Sequence, residues 1–214
     1  MRVLAVSVGL PKTVEWKGRE VSTGIFKSPV EGKVRAEGIN LAGDRQADLT
    51  VHGGPEKAVY CYPFEHYPAW EEFLGKPLPM AAMGENLTVE GLLEEDLCIG
   101  DRLRIGTAEF VVVQPRQPCF KFAIRHGRDD ALRHFLTRNW SGYYLTIVKS
   151  GELEAGDAIE ILSRDPHKVR VSDLFAIFRR EPTTVEFLQR AVQVEALTDQ
   201  WRDFLADSIE AALG

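Results

Sequence analysis

Nine short segments rich in β-branched and aromatic residues, each closed off by Gly, Pro, Asn or Asp, fall within residues 1–163, and none follows. They lie at 3–8, 23–27, 48–52, 58–62, 86–89, 102–105, 110–113, 143–148 and 158–162. Segments of this length and composition read as strands. So many strands in succession need their edges protected, and a closed or nearly closed β-barrel is the expected architecture. Two helices interrupt the series, at 65–74 with Tyr67, Trp70, Phe73 and Leu74 on one face, and at 130–138 with Leu132, Phe135 and Leu136 on one face. They are expected to cover the ends of the barrel.

After a linker at 163–168 the pattern changes to helical spacing only. Val171, Leu174, Phe175 and Phe178 follow Ser172 or Asp173 as caps, Thr183 and Glu186 form a capping-box pattern, and Thr198 or Asp199 opens a third helix carrying Trp201, Leu205 and Ile209. The expected fold class is mainly β: a barrel domain at 1–163 and a small three-helix domain at 169–214. About 45 residues bury too little surface to stand alone, so the trio should dock on the barrel or on a second copy in a homodimer. A DNA-reading helix-turn-helix is disfavoured, because 198–213 carries Asp199, Asp203, Asp207 and Glu210 against Arg202 alone.

A net charge of −6 and a pI near 5.5 speak against nucleic-acid or anionic-membrane binding. No apolar run approaches the roughly 20 residues of a membrane span. Three cysteines without paired spacing indicate a reducing compartment, and with no signal-peptide pattern after Met1-Arg2 a cytoplasmic protein is expected.

The densest chemistry lies at 114–122, Gln-Pro-Arg-Gln-Pro-Cys-Phe-Lys-Phe. Pro115 and Pro118 cannot donate to a ladder, so the preceding strand should stop near Gln114 and leave Cys119 on a stiffened loop. Arg116, Lys121, Arg125 and His126 nearby would favour a thiolate, which makes Cys119 the candidate reactive centre. The plainer reading of a lone cysteine is a small apolar core residue. That reading suits Cys61 and Cys98, whose neighbours are apolar.

Residues 43–57, Gly-Asp-Arg-Gln-Ala-Asp-Leu-Thr-Val-His-Gly-Gly-Pro-Glu-Lys, form a second candidate wall. Asp44, Arg45 and His52 are its polar members, and Gly53-Gly54-Pro55 lets backbone approach a ligand. A polar hairpin turn with a solvated histidine fits the same residues. Lys27-Ser28-Pro29 could hold a phosphate or be an ordinary turn. Structural-zinc, P-loop and Rossmann patterns are absent. A hydrolase pairing Cys119 with His52 or His126 lacks an identifiable third, orienting residue.

Four stretches, 23–30, 43–59, 84–88 (Gly-Glu-Asn-Leu-Thr) and 115–121 (Pro-Arg-Gln-Pro-Cys-Phe-Lys), together resemble the MOSC-domain proteins, specifically their YiiM-like group. The helical tail is similar to the appendage of that group. The resemblance implies a MOSC-type barrel that binds the molybdenum cofactor, with Cys119 as the thiolate on molybdenum. It implies Lys27, Ser28, Asp44 and Arg45 toward the pterin phosphate, and His52 and Arg116 lining the metal pocket. The implied activity is reduction of N-hydroxylated substrates, purine bases such as 6-hydroxylaminopurine among them, fed by an external flavin-dependent reductase. A sulfur carrier holding a persulfide on Cys119, and a binding module without chemistry, are the alternatives. The strand at 141–147, Ser-Gly-Tyr-Tyr-Leu-Thr-Ile, departs from the arginine-containing pattern expected there.

Overall fold

A computed structural model describes residues 1–47 and 53–213. The first half of the chain gives β1 (Arg2–Val8), β2 (Lys12–Trp16), β3 (Arg19–Thr23), β4 (Ser28–Val30), β5 (Val34–Glu37), β6 (Asn40–Leu41), β7 (Val59–Pro63), α1 (Tyr67–Leu74), β8 (Leu87–Glu90) and β9 (Arg102–Ile105). Then follow β10 (Ala108–Pro115), α2 (Phe120–His126), α3 (Asp130–Leu136), β11 (Tyr143–Lys149), β12 (Gly151–Leu153) and β13 (Ile159–Ser163). The tail holds α4 (Val171–Phe178), α5 (Val185–Ala191) and α6 (Asp199–Leu213).

Eight strands form one mixed sheet in the order β13-β9-β10-β11-β7-β8-β1-β4, in which β7 and β8 run parallel and the other neighbours antiparallel. Among the described residues the strand ladder has two ends, β13 and β4, and no closed ring of named strands is found in it. The sheet nevertheless bends back on itself. Val3 donates its N–H to Asp157 O at 2.9 Å, Gly156 donates to Val3 O at 2.8 Å, and Ile159 donates to Met1 O at 3.1 Å, which brings the start of β1 to the entry of β13 at the far edge. A three-stranded sheet, β12-β5-β6, and the hairpin β2-β3 complete the β-structure of the described residues.

One strand expectation changes. Residues 24–27 are irregular, and the chain before them forms the hairpin β2-β3, whose turn residues Lys17 and Gly18 both take positive φ, 52° and 76°. A residue pair in that conformation matches strand twist and closes a two-residue hairpin. The strand expected to stop near Gln114 does end there, at Pro115: Gln114 pairs with Tyr144 and Pro115 with Tyr143, after a bulge beyond Val112. A proline at the last position costs the ladder one donor only. The segment 48–52 lies outside the described residues. Both helices expected before the tail form, the first preceded by a short 3-10 turn at Phe64–His66.

Two apolar clusters hold the fold together. The larger lies between the curled sheet and the tail and includes Val6, Leu87, Phe110, Val112, Leu174, Leu188, Trp201 and Leu205. The tail thus shares its core with the sheet, and α4 packs directly on β10. The second cluster, Tyr60, Tyr62, Tyr67, Trp70, Phe122, Phe135 and Phe175 among others, seats α1, α2 and α3 over the end of the sheet where β7 and β10 finish. The caps precede or follow those expected: Arg170, two residues before Ser172, precedes α4 and its N–H is accepted by Asp173, while Thr184, one residue after Thr183, caps α5 by accepting from Phe187 N at 3.1 Å. Among the described residues no helix is long and apolar enough to cross a membrane.

Because Trp201 is fully buried in the shared cluster, Trp201→Ala should lower the unfolding free energy by about 3–5 kcal/mol, as large-to-small core changes do. Sheet and tail should still melt in a single transition, seen as coincident near- and far-ultraviolet dichroism curves.

Candidate functional site

The end of β10 delivers the sequence's cysteine to a pocket. After Pro115 the chain leaves the sheet, and Cys119, half-buried and extended at φ −129° and ψ 172°, stands immediately before α2. It therefore ends the expected loop, at 116–119, which runs directly into α2. The pocket, about 680 Å³ with its mouth included, is walled by Cys119 together with Lys27, Asp44, Arg45, Lys57, Tyr60, Asn86, Arg116, Lys121 and Tyr144, among others. Six separate stretches of chain thus meet at one place. Among these walls five cations face a single carboxylate.

That carboxylate is fully engaged. Asp44 Oδ1 accepts from Gly9 N at 2.9 Å and from Lys27 Nζ at 2.5 Å, and Oδ2 accepts from Asn86 Nδ2 at 2.9 Å. Lys27 and Asp44 side chains are only 9% and 3% exposed, so this is a buried ion pair. Burial pushes the Lys27 ammonium below the usual lysine range, and Asp44 pulls it partly back. Asn86 also donates to Ser7 O at 3.2 Å and accepts from Tyr60 N at 3.1 Å, which locks β1, β7 and β8 to the pocket floor.

The loop 81–86 forms the inner wall and is held in a demanding conformation. Ala81 takes φ +63°, unfavourable for a residue with a Cβ, and Arg125 Nη2 donates to its carbonyl at 3.3 Å. At Gly84, φ is +82° and an added Cβ would lie 2.6 Å from Ile25 Cγ1, so only glycine fits. Arg116, buried, donates to Met83 O and lies 4.6 Å from the Tyr60 ring centre. Behind the loop, Glu85 is fully buried and accepts from Tyr67 OH, Thr88 Oγ1 and Met83 N. Burial pushes its carboxyl up, while those bonds and the charge of Arg116 restrain the rise.

Gln46 closes the opposite wall. Its amide donates to Lys57 O at 2.8 Å and to Gly54 O at 3.3 Å, and accepts from Gly54 N at 3.0 Å, fastening the Gly-Gly-Pro turn to the pocket. His52 lies outside the described residues. Ser28, exposed as the first residue of β4 opposite Val8, is not among the pocket walls. His126 is buried against Phe122 and Trp70, away from the pocket, and burial with neighbouring cations pushes it down to about 3. It adds no positive charge beside Cys119. Cys61 is buried in the sheet, whereas Cys98 is half-buried at a bridge to Arg170. Tyr60, Tyr144, Asn86, Lys57 and Gln46 are pocket residues that the sequence did not single out as such. Asn86 and Lys57 stood inside the motif stretches, and the two tyrosines looked like strand core.

Two outcomes follow from these buried charges. Asp44→Ala strands the Lys27 charge and should cost about 3–5 kcal/mol in urea unfolding, and the double change Asp44→Leu with Lys27→Met should cost less. For His126 the folded pKa lies below the 6.5 of the unfolded chain, so unfolded protein takes up the proton first and stability is lost as pH falls from 6.5 toward about 3. His126→Phe should flatten that part of the stability profile.

Residues 48–160 match the MOSC domain. YflK of Bacillus subtilis is 42% identical over 200 residues, spanning 94% of this chain and 90% of that protein. A protein of Gibberella moniliformis named reductase is 30% identical over 200 residues, which are 91% of this chain but only 35% of that longer protein. The crystal structure of YiiM from Geobacillus stearothermophilus superposes with a TM-score of 0.81 at 31% identity, covering 97% of this chain and 98% of that one. With its cysteine-bearing pocket at the end of the sheet, the chain belongs to the MOSC-domain family, within its YiiM-like group.

Proposed function

We propose that this chain is a molybdenum-cofactor-dependent reductase of N-hydroxylated compounds, N-hydroxylated purine bases such as 6-hydroxylaminopurine included, and that it detoxifies such base analogues. The observation that carries the reading is a half-buried thiol in one pocket with five cations and one neutralised carboxylate. Among the described residues no three His, Cys, Asp or Glu side chains gather to hold a metal. A metal at Cys119 would have to arrive with ligands of its own, and a phosphorylated organic ligand suits the cations beside it. The donor set therefore fits the molybdenum cofactor.

When bound, the cofactor supplies the two-electron chemistry. Cys119 would provide the soft protein ligand. Arg45, Lys57 and Lys121 would hold the anionic end; Lys27, already bound to Asp44, instead fixes the floor on which that end rests. Arg116 is anchored by Met83 O and the Tyr60 face and keeps a permanent positive charge beside the thiol, while Tyr60 and Tyr144 wall off water. The overall reaction takes two electrons and two protons, converting an N-hydroxylamine to the amine and water. The electrons come from an external flavin-dependent reductase.

Cys119→Ser keeps the size but replaces a soft ligand by a hard one. The fold should survive, and reduction of N-hydroxylated bases should fall by orders of magnitude in protein made in a host that synthesises the cofactor. Cys61→Ser should lower stability through a buried hydroxyl yet leave turnover per folded molecule intact. Molybdenum and pterin analysis of the purified protein separates the readings. Stoichiometric metal and pterin support the reductase, an alkylation-sensitive persulfide on Cys119 without pterin would replace it with a sulfur carrier, and the absence of both would leave a binding module.

A further inference from the structure

Behind the pocket lies a buried acid–imidazole pair that does not touch it. His66, at the end of the 3-10 turn before α1, and Glu94, in the turn after β8, have side chains only 8% and 3% exposed, and neither is a pocket wall. His66 Nε2 lies 2.9 Å from Glu94 Oε2, and since a carboxylate can only accept, the imidazole is the donor. The other oxygen, Glu94 Oε1, accepts from Gly142 N at 2.7 Å. Both oxygens are thereby committed, which fixes the backbone at 142 relative to the imidazole. Glu94 is braced in turn from the tail, its carbonyl accepting from Ser172 N of α4 at 3.1 Å.

The pair grips a three-residue segment at both ends. The imidazole of His66 stacks on the Trp140 ring, 4.7 Å between centres and 14° between planes, while Glu94 takes the N–H of Gly142. Ser141, between them and fully buried, turns its carbonyl to Tyr60, whose hydroxyl donates to it at 2.8 Å. Gly142 O accepts from Arg116 N at 3.4 Å. No larger residue fits at 142, where φ is +61° and an added Cβ would lie 2.4 Å from Cys61 O and 2.7 Å from Tyr60 Cε2. The segment thus lies directly against Tyr60, and Tyr60 and Arg116 share the pocket wall with Cys119.

We propose that Glu94 and His66 are positioning residues for the pocket: by holding 140–142 they direct the Ser141 carbonyl that takes the Tyr60 hydroxyl, and so keep Tyr60, with the Arg116 guanidinium 4.6 Å from its ring centre, in place beside Cys119. Because the hydroxyl hydrogen of Tyr60 points at Ser141, this tyrosine meets the pocket with its ring and its oxygen lone pair rather than as a proton donor. The consequence for turnover rests on the reductase reading above; the hold on Tyr60 does not.

Fluorine resonances test that hold in cofactor-free protein. The chain has five tyrosines, so 3-fluorotyrosine labelling gives few signals, and Tyr60→Phe assigns the one at issue. Glu94→Ala should shift or broaden the Tyr60 resonance and leave that of Tyr67 unmoved, and Glu94→Gln, which can still accept from Gly142, should restore it. His66→Phe keeps a ring on Trp140 while removing the partner of Glu94, and should disturb Tyr60 in the same way even where Glu94→Ala does not fold. In cofactor-loaded protein, Glu94→Ala should lower kcat for 6-hydroxylaminopurine at least about tenfold with KM and molybdenum content unchanged, whereas in a Tyr60→Phe background it should cost less than about threefold, because the residue it acts through is already altered. A Tyr60 resonance that stays put in both variants, five resonances that all move together, or kcat losses that multiply in the double variant would overturn the positioning role. Wild-type protein without molybdenum or turnover would refute the reductase reading, and the fluorine spectra would then uphold or overturn the hold on Tyr60 by themselves.

Discussion

One buried carboxylate sets the site. Asp44 is bonded at once to the backbone after β1, to the lysine before β4 and to the asparagine before β8. Three stretches distant in sequence are fixed to one another there, and the pocket floor is what they enclose. Burying an ion pair costs several kcal/mol of desolvation per charge, which is recovered only when hydrogen bonds satisfy the remaining lone pairs. Asp44 meets that condition with one ammonium, one amide and one backbone N–H. The pair thus serves geometry more than stability.

Around that floor the inner wall is made of backbone. The loop 81–86 offers carbonyls to Arg116 and Arg125, and its own N–H groups turn inward to Glu85 and to the hydroxyl of Tyr67. Cations on the pocket side and an acid behind it thus clamp the same short loop from both faces. This accounts for a left-handed alanine and a glycine that no larger residue can replace.

Much of this was legible in the sequence. The strand-rich first part, the helices over 65–74 and 130–138, the three tail helices and the cysteine after Pro118 all carry local signals, namely periodicity, caps and proline. Lys27, Asp44, Arg45 and Arg116 stood out because charge clustered near glycine and proline is visible in one dimension. The misses have physical causes. The hairpin β2-β3 hid because Lys17 supplies a left-handed turn conformation that its side chain does not advertise. Tyr60 and Tyr144 alternate as any strand residues do, and only the sheet order brings them side by side at the pocket, their rings 5.1 Å apart. The edges of the sheet could not be read at all. Whether a run of strands closes depends on register between partners far apart, and here the strand ladder has two ends joined only by a few bonds from the start of β1.

Those bonds bear on how the chain comes to be folded. Met1 and Val3 find their partners in residues 156–159, so β1 cannot complete its pairing until that distant segment has been made as well. Contacts of such long separation slow folding, since the loop between them has to be closed before they reward it. During synthesis β1 can lie against β4, and later β8, with its outer N–H and carbonyl groups still seeking a strand. Its early residues Val3, Ala5 and Val6 are among the most deeply buried of the finished protein. The nascent chain therefore carries an apolar edge until residues 156–159 emerge, and it is at this stage, not in the native state, that it has most need of a chaperone.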